Sequence, residues 1–415
     1  MKRVVVTGLG AITPIGNTVK AFWEGLIHGA NGVGEITRFD HSNYKTHFAA
    51  EVKNYDPLDY FDRKDVRKHD LYAQFDIIAA EEAIENAHLT PINTNFDEVG
   101  VVVTAGIGGV THFYNEMVEH VKGNGVPRFS PYYIPKMILN IPAGVISIRH
   151  GFRGPNFATV SACASSSHAI VAGFDLIRYG KAVAVVAGGA EAGICEAGIG
   201  GFNAMHALSL RNDDPKTASR PFDKNRDGFV MGEGGGCIVI EELEHALKRG
   251  ADIYAEIVGV GMSGDAYHIT APHPEGYGAF LSMERAVKDA GIEANQVEHI
   301  NTHGTSTPQG DVAEVLAIQK LFGDHSRNIS LNSTKSMTGH LLGGTGAVEA
   351  IATIMALREG IVPPTINHFE DDPLIDPELD FTFNKARKRE MTYAMSNAFG
   401  FGGQNTSILF KKYTL

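Results

Sequence analysis

Cys163 closes the run Thr159-Val-Ser-Ala-Cys163 and is followed by Ala-Ser-Ser-Ser, so an extended segment behind Gly154-Pro155 changes into a helix at the cysteine itself. A helix start aims free amides and positive partial charge at the sulfur, which predicts a lowered thiol pKa and a nucleophilic thiolate. The same amides would form half of an oxyanion hole. On the turn alone, a small buried core cysteine explains the residue equally well. Cys195 and Cys237 are read in that second way. Two glycine-bearing loops shift the balance at Cys163. The first, His299-Ile-Asn-Thr-His303-Gly-Thr-Ser-Thr-Pro-Gln-Gly-Asp311, runs from a strand end into a helix start. The second, Ser333-Thr-Lys335-Ser-Met-Thr-Gly-His340-Leu-Leu-Gly-Gly, precedes another helix. Open α/β sheets place ligands at such turns, so a thiol and two imidazoles there predict a nucleophilic site.

The elements that must carry these turns are marked by glycine. There are 47 in 415 residues, and they follow short β-branched runs such as VVVTGLG (4–10), VGVVVTAGIGG (99–109), VAVVAGGAEAG (183–193) and AEIVGVGMSG (255–264). Buried strands ending in tight turns are expected there. Helical periods are expected over 70–87, 133–149, 163–179, 278–290, 312–322 and 346–358, several stopped by glycine. Late strands are expected over 380–383, 393–396 and 406–410, giving an α/β fold whose sheet ends in antiparallel members. A glycine-turned strand opens at Val4 and again at Ile257, with the charged helix Glu241–Arg249 between. This predicts two pseudo-repeated halves, 1–250 carrying the cysteine and 251–415 carrying the two histidines.

Composition narrows the function. A formal charge of −12 argues against general nucleic-acid binding, and 43% hydrophobic residues can bury a large core. Three cysteines without a CxxC pair predict a reducing, cytoplasmic setting, and neither a signal peptide nor a membrane span is read. Gly8-Leu-Gly10 lacks the third glycine of a dinucleotide fingerprint and is read as a tight turn. Asp223, Asn225, Asp227 and Gly228 imitate half a calcium loop, but position twelve is Gly234, so an ordered polar loop is expected.

VSACASS, NTHGTSTPQGD, KSMTGHLLGGTGAVEA and SNAFGFGGQN, in this order and spacing, resemble the condensing enzymes of the thiolase superfamily. Within it the likeness is to the β-ketoacyl-acyl-carrier-protein synthase II group of bacterial fatty-acid synthesis, and it runs from VVVTGLGAITPIGN to the final strand. The resemblance implies a five-layered α-β-α-β-α thiolase-like fold, a homodimer, and decarboxylative Claisen condensation of an acyl-enzyme with malonyl-acyl-carrier protein. It implies catalytic roles for Cys163, His303, His340 and Lys335, and an oxyanion hole from the amides of Cys163 and Phe401. Asp311 and Glu314 would compensate charge. Ile107, Phe202, Thr270, Thr305, Thr307, Phe399 and Phe401 are the expected substrate contacts, with Phe399 to Gly403 as a gating loop. Lys64, Arg67 and Lys68 would dock the acidic acyl-carrier protein. No cofactor and no catalytic metal are implied. Asn301, Glu349, Ser396 and Asn397 match positions that in some relatives surround a structural ion, for which a water-filled polar knot is an equal reading.

Overall fold

The computed structural model describes residues 1–126 and 128–414. Ten strands form one hydrogen-bonded sheet. The first half contributes β1 (Val4–Ile12), β2 (Val99–Thr104), β3 (Asn156–Phe157), β4 (Ala184–Glu191) and β5 (Gly234–Glu242). The second contributes β6 (Ala255–Gly264), β7 (His299–Asn301), β8 (Ser330–Asn332), β9 (Tyr393–Gly400) and β10 (Gln404–Lys412). The spatial order is β3-β2-β4-β5-β1 followed by β6-β10-β9-β7-β8. In each half the outer three strands are parallel and the inner pairings antiparallel. The halves therefore repeat strand for strand, and the sheet crosses from one to the other where Val4–Val6 of β1 pair with Ala255–Ile257 of β6.

Five helices build the layers around this sheet: α1 (Leu71–Ala87), α2 (Ser165–Arg178), α3 (Tyr277–Ala290), α4 (Pro308–Phe322) and α5 (Thr345–Glu359). Successive strand residues face opposite sides, and here both sides are buried. Val102, Val185, Ile238 and Ile240 join the central core with α2 and α5, whereas Val101, Val186 and Val239 join the core under α1. Ile300, Met395 and Leu409 pack against α3 and α4. This is the five-layered α-β-α-β-α thiolase-like architecture, with α2 and α5 as its middle layer.

The expected tight turn at Gly8 and Gly10 does not form, because both residues lie inside β1. A Cβ would stand 2.1 Å from the Ala83 carbonyl at Gly8 and 1.9 Å from that of Ala79 at Gly10, so these glycines let α1 lie directly on the strand. Gly259 and Gly261 of β6 repeat the arrangement against α3. The helix expected over 133–149 is broken into Tyr133–Met137 and Ile141–His150. Pro142 has no N–H to continue the ladder and its ring would clash with the preceding turn. Residues 380–383 do not form a strand either. Thr382 takes a left-handed φ of +49° and its N–H turns back to the Asp380 carboxylate.

Candidate active site

The cysteine sits on a strained turn. Ala162 has φ +50°, residues Ala162–Ala164 form a single 3-10 turn, and α2 begins only at Ser165. The Ser165 hydroxyl ties the turn by accepting from the Ser161 N–H at 2.9 Å and donating to the Ala162 carbonyl at 2.7 Å. The amides of Cys163 and Phe401 both face Sγ. The expectation of a lowered thiol pKa is nevertheless overturned: burial outweighs Lys335 and the two amides, and the thiol is pushed up to about 11. The resting nucleophile is a thiol whose proton must leave during attack.

His340 is placed to handle that proton. Its Nε2 lies 3.0 Å from Cys163 Sγ, and its Nδ1 lies 2.9 Å from the Thr345 hydroxyl at the start of α5. That hydroxyl both donates and accepts, so it supports either neutral tautomer. His303 meets His340 edge-on, with ring centroids 5.4 Å apart. One ligand atom from each of Cys163, His303 and His340 falls within 4.8 Å of the others. Burial, reinforced by the Lys335 charge, holds both imidazoles far below the usual histidine pKa, so both are neutral at pH 7.

Buried ionisable groups sit behind this trio. Glu314 of α4 accepts from the His303 and Gly304 N–H groups, both at 2.8 Å, and fixes the first histidine loop. Lys335 is 1% exposed and its Nζ donates to Glu349 of α5 at 2.7 Å. Lys335 does not border the cavity, so its influence on the two imidazoles is electrostatic. Asp311 is also placed behind the site. It accepts from the Phe222 and Ser306 amides and lies 3.4 Å from the Arg226 guanidinium, which anchors the loop 303–308 through the Thr307 and Pro308 carbonyls.

A cavity of about 520 Å³ opens over the sulfur and is bordered by residues of both halves. Cys163, His303 and His340 form part of its wall, as do Ile107, Phe202, Phe399 and Phe401. Thr270, Thr305 and Thr307 also border it. Phe401 sits on the β9–β10 turn, with Gly402 and Gly403 at φ +84° and +70°, and its ring centroid is 6.4 Å from that of Phe202. The Gly402 N–H donates to the Ile269 carbonyl at 2.7 Å, which ties this turn to the loop carrying Thr270. Away from the cavity, a short surface helix, Arg63–Lys68, carries Lys64, Arg67 and Lys68. Lys68 pairs with Asp65, whereas Lys64 and Arg67 are exposed and have no carboxylate partner among the described residues.

Asn301 Oδ1, Glu349 Oε2 and Ser396 Oγ are buried and meet no protein hydrogen-bond partner. Three unpartnered oxygens at positions expected to surround an ion fit a hard cation. Asn397 differs, since its side chain is engaged by Glu314 and Ser407. Sequence reasoning missed Thr345, Arg226 and Glu191. The one available signal was Glu191 itself, a lone acid at the end of the apolar strand AVVAGGAE.

Comparison with known proteins places the chain in a family. The model of the beta-ketoacyl synthase N-terminal domain matches residues 1–246, and that of the C-terminal domain matches residues 254–369. The chain belongs to the beta-ketoacyl synthase family. It is 50% identical to a 3-oxoacyl-[acyl-carrier-protein] synthase 2 of Synechocystis sp., over 99% of this chain and 98% of that one. Proteins of the same name from Staphylococcus aureus and Vibrio harveyi are each 48% identical over 99% of both chains. A beta-ketoacyl synthase structure from Burkholderia phymatum superposes with a TM-score of 0.92 at 35% identity, covering 100% of each chain. A type II PKS acyl-carrier protein in complex with its ketosynthase gives 0.91 at 31% identity, again over 100% of each chain.

Proposed function

We propose that this synthase-family chain extends an acyl chain by two carbons through decarboxylative Claisen condensation, as a 3-oxoacyl-acyl-carrier-protein synthase of fatty-acid biosynthesis. The observation that carries the reading is the convergence of Cys163, two neutral imidazoles and two backbone amides on one apolar-walled cavity. Sγ of Cys163 attacks the thioester of an acyl-carrier protein while the thiol proton passes to His340 Nε2. His340 then gives that proton to the departing carrier sulfur, so the carrier leaves as its thiol and His340 is neutral again. The Cys163 and Phe401 amides hold the oxyanion of the tetrahedral intermediate. Malonyl-carrier protein then enters and its carboxylate departs as CO2. The electron pair left behind forms an enolate, whose oxygen takes hydrogen bonds from neutral His303 and His340. The enolate carbon attacks the acyl carbonyl, the C–S bond to Cys163 breaks, the sulfur leaves as a thiolate that takes a proton from solvent, and the product is a 3-oxoacyl-carrier protein. Lys335, set against Glu349, keeps the imidazoles neutral as a positioning residue.

Exposed Lys64 and Arg67, with Lys68 beside them, are proposed as the docking surface for the acidic carrier protein, reached by long-range steering. A homodimer is proposed across edge strand β3, which is exposed and carries half-open Phe157, with Val160 beyond it 56% exposed. The division into halves at residue 250 and a cytoplasmic setting are part of the same proposal. No described helix is long and apolar enough to cross a membrane. The test is a panel of acyl-carrier proteins from C4 to C16 incubated with malonyl-carrier protein and read by mass spectrometry. Products two carbons longer than each primer support fatty-acid elongation. Repeated extension to a poly-β-keto chain would transfer the protein to polyketide synthesis.

A further inference from the structure

The two halves build the same corner twice, and only one copy is open to substrate. β4 ends at Glu191, paired with Gly234 at the start of β5, and β9 ends at Gly400, paired with Gln404 at the start of β10. Both strands are 8 residues long, so Glu191 and Gly400 are counterparts. The facing turns correspond as well. Ala162 at φ +50° precedes Cys163, Leu342 at φ +47° precedes Gly343, and each turn continues through three 3-10 residues into a long helix. The contacts cross between halves. Gly400 of the second half faces the Cys163 turn, where a Cβ would stand 3.3 Å from the Cys163 nitrogen and 2.5 Å from the Ser161 carbonyl oxygen. Glu191 of the first half faces the Gly343 turn, where its carboxylate accepts the Gly343 N–H at 3.1 Å. The same carboxylate, 0% exposed, accepts the N–H groups of Gly106 at 2.7 Å, Ile107 at 3.2 Å and Gly108 at 2.9 Å.

We propose that Glu191 is a positioning residue that permanently fills the second of two pseudo-equivalent anion holes, and that it thereby fixes Ile107 in the acyl-pocket wall and sets chain-length selectivity. At Cys163 the corresponding amide is kept free for the substrate oxyanion, which is why its facing strand ends in glycine. At Gly343 the protein supplies the anion itself. Without it, the buried Gly108 and Gly343 N–H groups and the half-buried Gly106 and Ile107 N–H groups lose their acceptor, and the 106–108 loop loses its one carboxylate tie among the described residues. The selectivity clause rests on the proposed acyl chemistry, whereas the filled anion hole does not.

Two readouts separate these parts. Glu191→Ala should leave a hole sized for a small carboxylate, so formate or acetate at tens of millimolar should raise its melting temperature above that in chloride of equal ionic strength. Wild type should show no such difference. Acyl transfer to Cys163 from C4 to C16 carrier proteins, followed by intact-protein mass spectrometry, should lose its length preference by tenfold or more in Glu191→Ala and regain it with formate. Glu191→Gln, which keeps one acceptor oxygen, should fold like wild type and show a smaller loss of preference. It decides the selectivity question if the alanine variant does not fold. An unchanged length profile in both variants, or no carboxylate-specific stabilisation of a folded Glu191→Ala, would overturn the proposal. Failure of wild type to acylate Cys163 with any primer sinks the proposed reaction and the selectivity clause, while the melting measurement still decides the anion hole.

Discussion

Replacing the two histidines singly should divide the reaction at its decarboxylation step. Burial holds both imidazoles neutral at pH 7, and in the proposed reaction each donates to the enolate oxygen. Removing one oxyanion donor in a dry site costs about 10²–10³ in rate, so His303→Ala and His340→Ala should each slow malonyl decarboxylation by about that factor. Acyl transfer should separate them. His340 Nε2 lies 3.0 Å from Sγ. Because His340 takes the thiol proton, and a positioned general base is worth about 10²–10⁴ in rate, His340→Ala should slow acylation of Cys163 by about that factor. His303 makes no hydrogen bond to Sγ, so His303→Ala should leave acylation within about twofold of wild type. Release of labelled CO2 measures the first step, and intact mass measures the second. His303→Asn, which retains an N–H donor, should recover part of the decarboxylation. If His303→Ala loses acylation as severely as decarboxylation, the two histidines do not divide their work and the enolate assignment is wrong.

Burial pushes the Cys163 thiol up to about 11, so only on the order of 10⁻⁴ of it is ionised at pH 7. Its alkylation by iodoacetamide should rise tenfold per pH unit from 7 to 10, and a plateau below pH 8 would show that the amides and Lys335 outweigh burial. Phe401→Ala should let malonyl-carrier protein decarboxylate before any acyl chain is loaded, because the ring borders the cavity with Cys163 on a turn whose glycines, Gly402 and Gly403, are free to change φ; decarboxylation that still waits for acylation would place the gate elsewhere. Exchange into buffer free of alkali and divalent cations should lower the melting temperature by a few degrees if Asn301, Glu349 and Ser396 hold a hard cation, and an unchanged melting curve favours ordered water.

Much of the site was legible because its residues lie on turns that announce themselves. Cys163, His303 and His340 stand beside glycines or serines at strand-to-helix junctions, where side-chain type and backbone punctuation point the same way. The pseudo-repeat was legible for a similar reason, since β1 and β6 share a glycine pattern. Quantities that depend on distant packing were not. The sign of the Cys163 shift follows from burial among residues of both halves, which no local window contains, and the helix-start argument alone predicted the opposite. Gly8 and Gly10 looked like turn residues because the helix that demands them begins about sixty residues later. Glu191 serves amides 83 to 152 positions away, so nothing near it in sequence reveals its task.

The central claim is that Cys163 carries the growing chain, and intact-protein and peptide mass spectrometry test it most directly. Wild type incubated with an acyl-carrier protein should gain one acyl group on the peptide containing Cys163. Addition of malonyl-carrier protein should discharge that group into a 3-oxoacyl product two carbons longer. Cys195→Ala and Cys237→Ala should behave like wild type, and Cys163→Ala should form neither adduct nor product. An adduct on Cys195 or Cys237 with Cys163 unmodified, or a Cys163 adduct that malonyl-carrier protein never discharges, would contradict the account.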